Sequence, residues 1–316
     1  MANALAIVVT GWDPVVWAQR FRALAPARAV RVWPDEVGAL GEIAYACAWK
    51  PPPGVLATFP QLAAIFSLGA GVDHLLNDST LPQVPIVRIV DPDLTARMVE
   101  YVLLHVLMIH RRHRIYDAQQ RQRIWHEHMQ PAAREITVGV MGLGRLGSAA
   151  AEALQRVGFQ VLGWSRAHKK LAGVECFHGT AGLDAFLARS EVLVVLLPHT
   201  PATEGILNLE LLRKLRRDGP LGGAHLINAG RGRLQIDADI LAALEEGALA
   251  GATLDVFAHE PLPIDSPLWL HPHVTITPHN AAASDPRFLV GNVLAQIERF
   301  ERGEPMQNVI DRTLGY

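Results

Sequence analysis

Apolar residues along this chain fall in short runs separated by segments of helical period. That pattern predicts strands alternating with crossover helices, and hence parallel sheets. Residues 5–10 (Leu-Ala-Ile-Val-Val-Thr) predict a buried strand, and Asp13-Pro14 then opens a helix carrying Val16, Trp17 and Phe21. Four more strands are expected at 30–32, 43–49 (stopped by Pro51-Pro52-Pro53), 62–68 and 86–90. From Leu94 the period lengthens. Met98, Tyr101, Val102, His105, Met108 and Ile109 share a helical face, and the basic, polar stretch 111–123 continues it. One long helix is predicted, leaving a first α/β domain and entering a second. Strands are then expected at 136–141, 160–164, 192–197, 225–228, 253–256 and 274–277, with helices such as 240–246 between them. A last helical pattern over 288–300 returns to the first domain. The expected organisation is two doubly wound parallel-sheet domains, 1–97 plus 284–316 and an inserted 98–283, with a ligand in the cleft between them.

The second domain opens on Val138-Gly139-Val140-Met141-Gly142-Leu143-Gly144-Arg145-Leu146-Gly147, a strand running through Gly-x-Gly-x-x-Gly into a helix of small residues. Gly142 permits the tight turn, Gly144 leaves room for a pyrophosphate, and Gly147 lets helix and strand pack closely. Arg145, Leu146 and Gly147 begin the helix, whose N–H groups and positive dipole end suit phosphates. The flanking strand and helix favour dinucleotide binding over a plain turn. The next strand ends in Trp164-Ser165-Arg166, where a carboxylate would select the ribose 2′-hydroxyl; none is present. Ser165 can donate to a 2′-phosphate, Arg166 can pair with it, and Lys169 and Lys170 add positive field. NADPH is therefore expected to be preferred, with NADH possible but weaker.

Composition narrows the class. The 316 residues are 50% hydrophobic and carry a net charge of −2, which argues against a general nucleic-acid binder. Cys47 and Cys176 form no disulfide framework and are expected as reduced core thiols, which suits the cytoplasm. No basic region precedes the first apolar run, so no signal peptide is expected. The longest apolar run, 102–109, is too short to span a bilayer and is broken by His105.

Three segments at strand ends carry further chemistry: Asn228-Ala229-Gly230-Arg231-Gly232, Asp255-Val256-Phe257-Ala258-His259-Glu260-Pro261 and Thr277-Pro278-His279-Asn280. Arg231, between two glycines, suits a carboxylate or a polarised carbonyl. His279 with a carboxylate partner is a candidate acid–base group, and Glu260 is a candidate partner. Ser67-Leu68-Gly69-Ala70-Gly71-Val72-Asp73 offers a glycine-rich anion nest.

With Glu100-Tyr101-Val102, Leu196-Leu197-Pro198, Leu254-Asp255-Val256-Phe257 and Glu260-Pro261-Leu262-Pro263, these motifs run in order across nearly the whole chain. In this the chain resembles the D-isomer-specific 2-hydroxyacid dehydrogenases, and within them the glyoxylate/hydroxypyruvate reductase A branch. The resemblance implies a flavodoxin-like substrate domain, a Rossmann domain and a homodimer built through the long helix and the segment up to Pro131. It implies reduction of a small 2-oxoacid, with His279 as general acid, Glu260 orienting it and raising its proton affinity, and Arg231 holding the substrate carboxylate. Ala70 and Gly71 would hold that carboxylate through backbone N–H groups, and Trp49 would wall the pocket. Leu197 and Pro198 would line the cofactor along with Trp164 and Gly230, and Ala229 and Asp255 would lie by its carboxamide. Asn280 and His199 depart from the family pattern.

Three other readings compete. Another D-2-hydroxyacid dehydrogenase, of lactate or phosphoglycerate type, would share most of these residues. A nicotinamide-sensing binding protein would keep the fold, but the joint presence of Arg231, Glu260 and His279 argues for chemistry. A metal enzyme is disfavoured: His126-Glu127-His128 and His271-Pro272-His273 lack the spacing of a helical zinc pair, so no metal is expected.

Overall fold

A computed structural model describes residues 3–313, which separate into two units: the chain up to Leu94 together with the part from Ser284 onward, and the stretch Thr95–Ala283. The first unit holds β1 (Ala4–Val9), α1 (Pro14–Leu24), β2 (Val30–Val32), β3 (Ile43–Trp49), β4 (Ala64–Ser67), the one-turn α2 (Asp73–Leu76) and β5 (Ile86–Val87). All five strands are parallel, in the order β2-β1-β3-β4-β5, the flavodoxin-like winding. β1 is buried on both faces, so it reads as an unbroken apolar run rather than an alternation. Asp13 caps α1 by accepting from the Val15 N–H at 2.9 Å, and Trp17 and Phe21 turn into the core. Burial pushes the Cys47 thiol well up, keeping it protonated and inert.

The long helix predicted from Leu94 is two helices. α3 (Pro92–His110) is capped by Asp91, which accepts from the Asp93 N–H at 2.8 Å. The chain then breaks at Arg112, whose φ of 54° is left-handed, before α4 (His113–Gln122). The break lets Arg112 donate to the Met129 and Pro220 carbonyls and Arg114 to the Val274 carbonyl. Helical periodicity persists across the break, which is why the sequence conceals it. α4 buries no residue, and Ile124, Trp125 and Met129 beyond it are exposed, Trp125 completely.

The second unit continues with β6 (Thr137–Met141), α5 (Arg145–Val157), β7 (Gln160–Ser165), β8 (Glu175–His178), α6 (Gly179–Leu187), β9 (Val192–Val195), α7 (Leu209–Arg213), β10 (His225–Asn228), α8 (Asp237–Glu245), β11 (Gly251–Leu254) and β12 (Val274–Ile276). Its seven parallel strands lie in the order β12-β11-β10-β9-β6-β7-β8, the doubly wound Rossmann arrangement with its switch point between β6 and β9. The sequence pattern missed β8, an edge strand with no buried residue; Cys176 there is half-buried rather than in the core. α9 (Pro286–Glu301) closes the first unit, burying Leu289, Val290, Val293 and Ile297 in one cluster with Leu5, Ile7, Trp17 and Phe21. Asn292 donates to Asp91 at 2.6 Å, and Arg28 meets Glu301 at 2.9 Å. Residues 308–310 then pair with β5 in antiparallel sense. No helix among the described residues is long and apolar enough to cross a membrane.

At the start of β10 the His225 imidazole is pushed down from 6.5 to about 4, chiefly by removal from water and further by the charges of Arg112 and His273. It stays neutral in the fold where the unfolded chain would protonate it. A stability penalty therefore develops as pH falls from 6.5 towards 4, on the order of 1–3 kcal/mol. Thermal melts of wild type and His225→Gln at pH 7.5 and pH 5 check this. The variant should lose a few degrees less on acidification; equal losses would show that the ring is not the source.

Candidate functional site

Most candidate residues of the second unit sit at or just past the C-terminal end of a parallel strand, where doubly wound sheets place their ligands. At the end of β6, Gly142 adopts φ 112°, and its N–H donates to the Trp164 carbonyl at 2.8 Å. A Cβ on Gly142 would lie 2.8 Å from the Leu196 carbonyl, and one on Gly147 would lie 1.8 Å from the Gly142 carbonyl oxygen. Both positions require glycine. A Cβ on Gly144 would meet nothing within 4 Å, so that side of the turn is open to an approaching group. Arg145, Leu146 and Gly147 form the first turn of α5, whose N–H groups have no carbonyl of their own helix to bond. The turn fits a pyrophosphate.

The end of β7 differs from expectation in two respects. The Trp164 indole is buried and donates to the Gly179 carbonyl at 3.0 Å at the start of α6, and only its backbone carbonyl meets the glycine turn. The Ser165 hydroxyl donates to the Ala167 carbonyl at 2.7 Å, which leaves its oxygen only as an acceptor. Positive charge on the exposed stretch from Arg166 to Lys170 thus remains as the feature suited to a 2′-phosphate. Leu197, Ala229 and Gly230 are nearly buried at the ends of β9 and β10, with Pro198 beside Leu197.

β10, β11 and β12 are successive neighbours, about 4.8 Å apart. Their ends bring Arg231, Asp255 and His279 to one edge of the sheet. The buried Asn228 side chain shapes the first of these turns, accepting from the Gly230 N–H at 3.0 Å and donating to the Gln235 side chain at 2.8 Å. Arg231 donates to the Gly230 carbonyl at 2.7 Å. A Cβ on Gly232 would lie 1.9 Å from the Phe257 carbonyl carbon, so this turn is pressed against the segment leading to Glu260.

The closest acid–base contact is the one anticipated. His279 Nδ1 lies 2.9 and 2.8 Å from the two oxygens of Glu260, and both side chains are partly exposed, 29% and 21%. Glu260 also accepts from the Phe257 N–H at 3.2 Å. A carboxylate at Nδ1 places a hydrogen there, so any proton exchange with a ligand falls to Nε2. His279 itself has φ 51°, an unusual left-handed conformation for a non-glycine residue.

Asp255, expected beside a carboxamide, is only 1% exposed. Its carboxylate accepts from Thr277 Oγ1 at 2.6 Å and from the N–H groups of Asn280 and Ala281 at 3.0 Å each, while its own carbonyl takes the His279 N–H at 2.8 Å. It grips the histidine loop. The sequence gives no sign of this beyond a carboxylate between apolar residues, and none of the part played by Thr277. Asn280 contributes its backbone there and leaves its side chain exposed. His199 is largely buried, with Nε2 3.7 Å from Glu204.

In the first unit, Trp49 at the end of β3 lies against the Ala70 loop: a Cβ on Gly69 would be 2.1 Å from its ring. Ser67 Oγ donates to the carbonyls of Gly69 and Gly71, at 3.0 and 3.1 Å, and fixes that loop. Trp12 stacks on Trp49 with centroids 4.6 Å apart, and His74 packs tilted against it at 4.8 Å. The histidine pairs serve local packing. His126 meets His128 edge-on, His128 Nε2 lies 3.0 Å from Gln119, and His271 Nδ1 accepts from the His273 N–H.

Comparison with known proteins matches this arrangement to one group. A family profile, the NAD binding domain of D-isomer specific 2-hydroxyacid dehydrogenases, matches residues 103–281. The glyoxylate/hydroxypyruvate reductase A of Escherichia fergusonii is 40% identical over 311 residues, 96% of this chain and 97% of that protein. The crystal structure of an NADPH-dependent glyoxylate/hydroxypyruvate reductase from Sinorhizobium meliloti, in complex with NADP and sulfate, superposes with a TM-score of 0.95 at 45% identity, covering 99% of this chain and 100% of that one. A D-isomer specific 2-hydroxyacid dehydrogenase from Xanthobacter autotrophicus, in complex with NADPH and MES, gives 0.94 at 43% identity with complete coverage of both chains. The chain belongs to the D-isomer-specific 2-hydroxyacid dehydrogenase family.

Proposed function

We propose that this protein is an NADPH-dependent reductase of small 2-oxoacids, glyoxylate and hydroxypyruvate among them. The observation that carries the reading is the His279–Glu260 pair, 2.8 Å apart on the same sheet edge as Arg231 and the Gly142–Gly147 turn. Two of the three relatives named above are glyoxylate/hydroxypyruvate reductases, and the two crystal structures hold NADP or NADPH. The second unit is read as the dinucleotide-binding unit and the first as the substrate unit, close to the expected division 1–97 plus 284–316 and 98–283.

When bound, NADPH supplies the hydride that reduces the carbonyl carbon. The glycine turn and the first N–H groups of α5, at Arg145, Leu146 and Gly147, take the pyrophosphate. Arg166, with Ser165 beside it, takes the 2′-phosphate, and Leu197, Pro198, Ala229 and Gly230 line the cofactor at the ends of β9 and β10. Trp164 supports the turn, and Asp255 holds the loop that ends beside the carboxamide. Arg231 pairs with the substrate carboxylate and draws electron density from the carbonyl. The Ala70–Gly71 backbone receives the carboxylate, and Trp49 bounds the space for the substrate side chain. His279 gives its Nε2 proton to the carbonyl oxygen as the hydride arrives, and Glu260 keeps the ring oriented and stabilises the charge it carries before transfer. The product is the 2-hydroxyacid.

The protein is further read as a cytoplasmic homodimer. Both cysteines are unbridged, and Ile124, Trp125 and Met129 present apolar surface beside α4, which buries no residue completely.

Loss of NADPH absorbance with glyoxylate, hydroxypyruvate, pyruvate and phenylpyruvate tests the activity. Turnover should be highest with the first two, and no oxidation with any of them would refute the reading. His279→Ala should lower kcat on the order of 10²–10⁴-fold while NADPH still binds. Arg166→Ala should raise KM for NADPH roughly 10–100-fold and leave KM for NADH within about two-fold, as expected for one lost charge-assisted contact. Sedimentation should show a dimer that Trp125→Glu weakens; an unaltered dimer would place the contact elsewhere.

A further inference from the structure

A buried chain of hydroxyl groups lies beneath the histidine loop and leads away from the chemistry. Tyr101, on α3 and 8% exposed, packs with Val102, Val106, Val138 and Ala281 in one cluster. Its phenol oxygen is 2.8 Å from Thr277 Oγ1. Thr277 Oγ1 in turn is 2.6 Å from Asp255 Oδ1, and the same carboxylate takes the N–H groups of Asn280 and Ala281. A threonine hydroxyl has one hydrogen, and a carboxylate only accepts. The hydrogen of Thr277 therefore goes to Asp255, and the Tyr101 hydroxyl must be the donor to Thr277. The direction of the chain is fixed, from Tyr101 through Thr277 to Asp255.

This chain bears on a loop that needs support. His279 holds a left-handed φ of 51°, and its N–H is shared between the carbonyls of Asp255 and Thr277 at 2.8 and 3.0 Å. Such a conformation persists only where its surroundings impose it. Residues 277, 279, 280 and 281 all bond to Asp255, so Thr277 and Asp255 together set where the imidazole stands. Burial pushes the Tyr101 phenol well up, so it remains a donor, and burial pushes His105, packed tilted with its centroid 4.2 Å from that ring, down, so no charge disturbs the chain there.

We propose that Tyr101 is a positioning residue for the reduction: its phenol locks Thr277 on Asp255, and that lock holds His279 in register with its substrate. The proposal rests on His279 being the general acid. Tyr101 touches neither substrate nor cofactor in this account and acts through the loop alone.

A kinetic cycle tests it. Tyr101→Phe, Thr277→Val, Thr277→Ser and His279→Ala are made singly, and the first is also combined with the last. Thermal melts identify any variant that fails to fold. In the otherwise native enzyme Tyr101→Phe should lower kcat about 10-fold, as displacement of a reacting group does, with KM for NADPH and for glyoxylate within about two-fold. Thr277→Val should lose at least as much, and Thr277→Ser, which keeps the hydroxyl, should recover most of it. In the His279→Ala background Tyr101→Phe should change kcat by less than about two-fold, because the group it positions is gone. A full additional loss there, an unchanged kcat for Tyr101→Phe in the native background, or a Thr277→Ser enzyme as poor as Thr277→Val would each overturn the proposal. Full turnover by His279→Ala alone would instead remove the acid role, and the proposal with it, and that result is read independently of the Tyr101 variants.

Discussion

A carboxylate removed from water must be given hydrogen-bond donors, and at Asp255 those donors are almost all in the loop that carries His279. Desolvating such a group without partners would cost several kcal/mol, so the fold and the loop are bound to one solution. The Thr277 hydroxyl and the N–H groups of residues 280 and 281 converge on the side chain, and the His279 N–H goes to the carbonyl of the same residue. The aspartate sits one residue past β11, between the strands that lead to Arg231 and to His279. The parallel sheet supplies the spacing, and the buried charge fixes the loop. The outer pair, His279 with Glu260, stays partly exposed and is left for chemistry.

The glycines serve the same end by different means. Gly142 and Gly147 allow a turn that no side chain would fit, and Gly232 brings the Arg231 turn into contact with the segment that carries Glu260. Rigidity at this edge thus comes from close backbone approach as much as from hydrogen bonds. Gly144 differs in facing open space, where the lack of a side chain matters for what may approach rather than for what is packed.

Much of this was legible in the order of residues. Strands with both faces buried read as apolar runs, and β3 falls where its run predicts, as does the largely buried β10. The glycine turn and the Arg231 turn were legible because their residue types are tied to their chemistry, whereas the pairing of Glu260 with His279 was implied by the family resemblance. What stayed hidden had a common cause: contacts made across long separations, or elements with little burial. The edge strand β8 has no apolar run to announce it. The break at Arg112 depends on carbonyls of residues 129 and 220 that hold the guanidinium from far along the chain. Trp164 and Ser165 belong to the expected motif, yet their side chains bond inward. Tyr101 and Thr277 lie 176 positions apart, and nothing local to either marks them as partners.

The split of the first unit between the two ends of the chain has a consequence for its birth on the ribosome. β1 and α1 emerge early, but α9, which covers Leu5, Ile7 and Phe21, is translated only after the roughly 190 residues of the inserted unit. At roughly 5–20 residues per second that interval is on the order of 10–40 s. By its end the inserted unit has all its own strands, while the older half has waited with an uncovered apolar face. The nascent protein is thus most exposed to chaperone capture or self-association just before α9 is made.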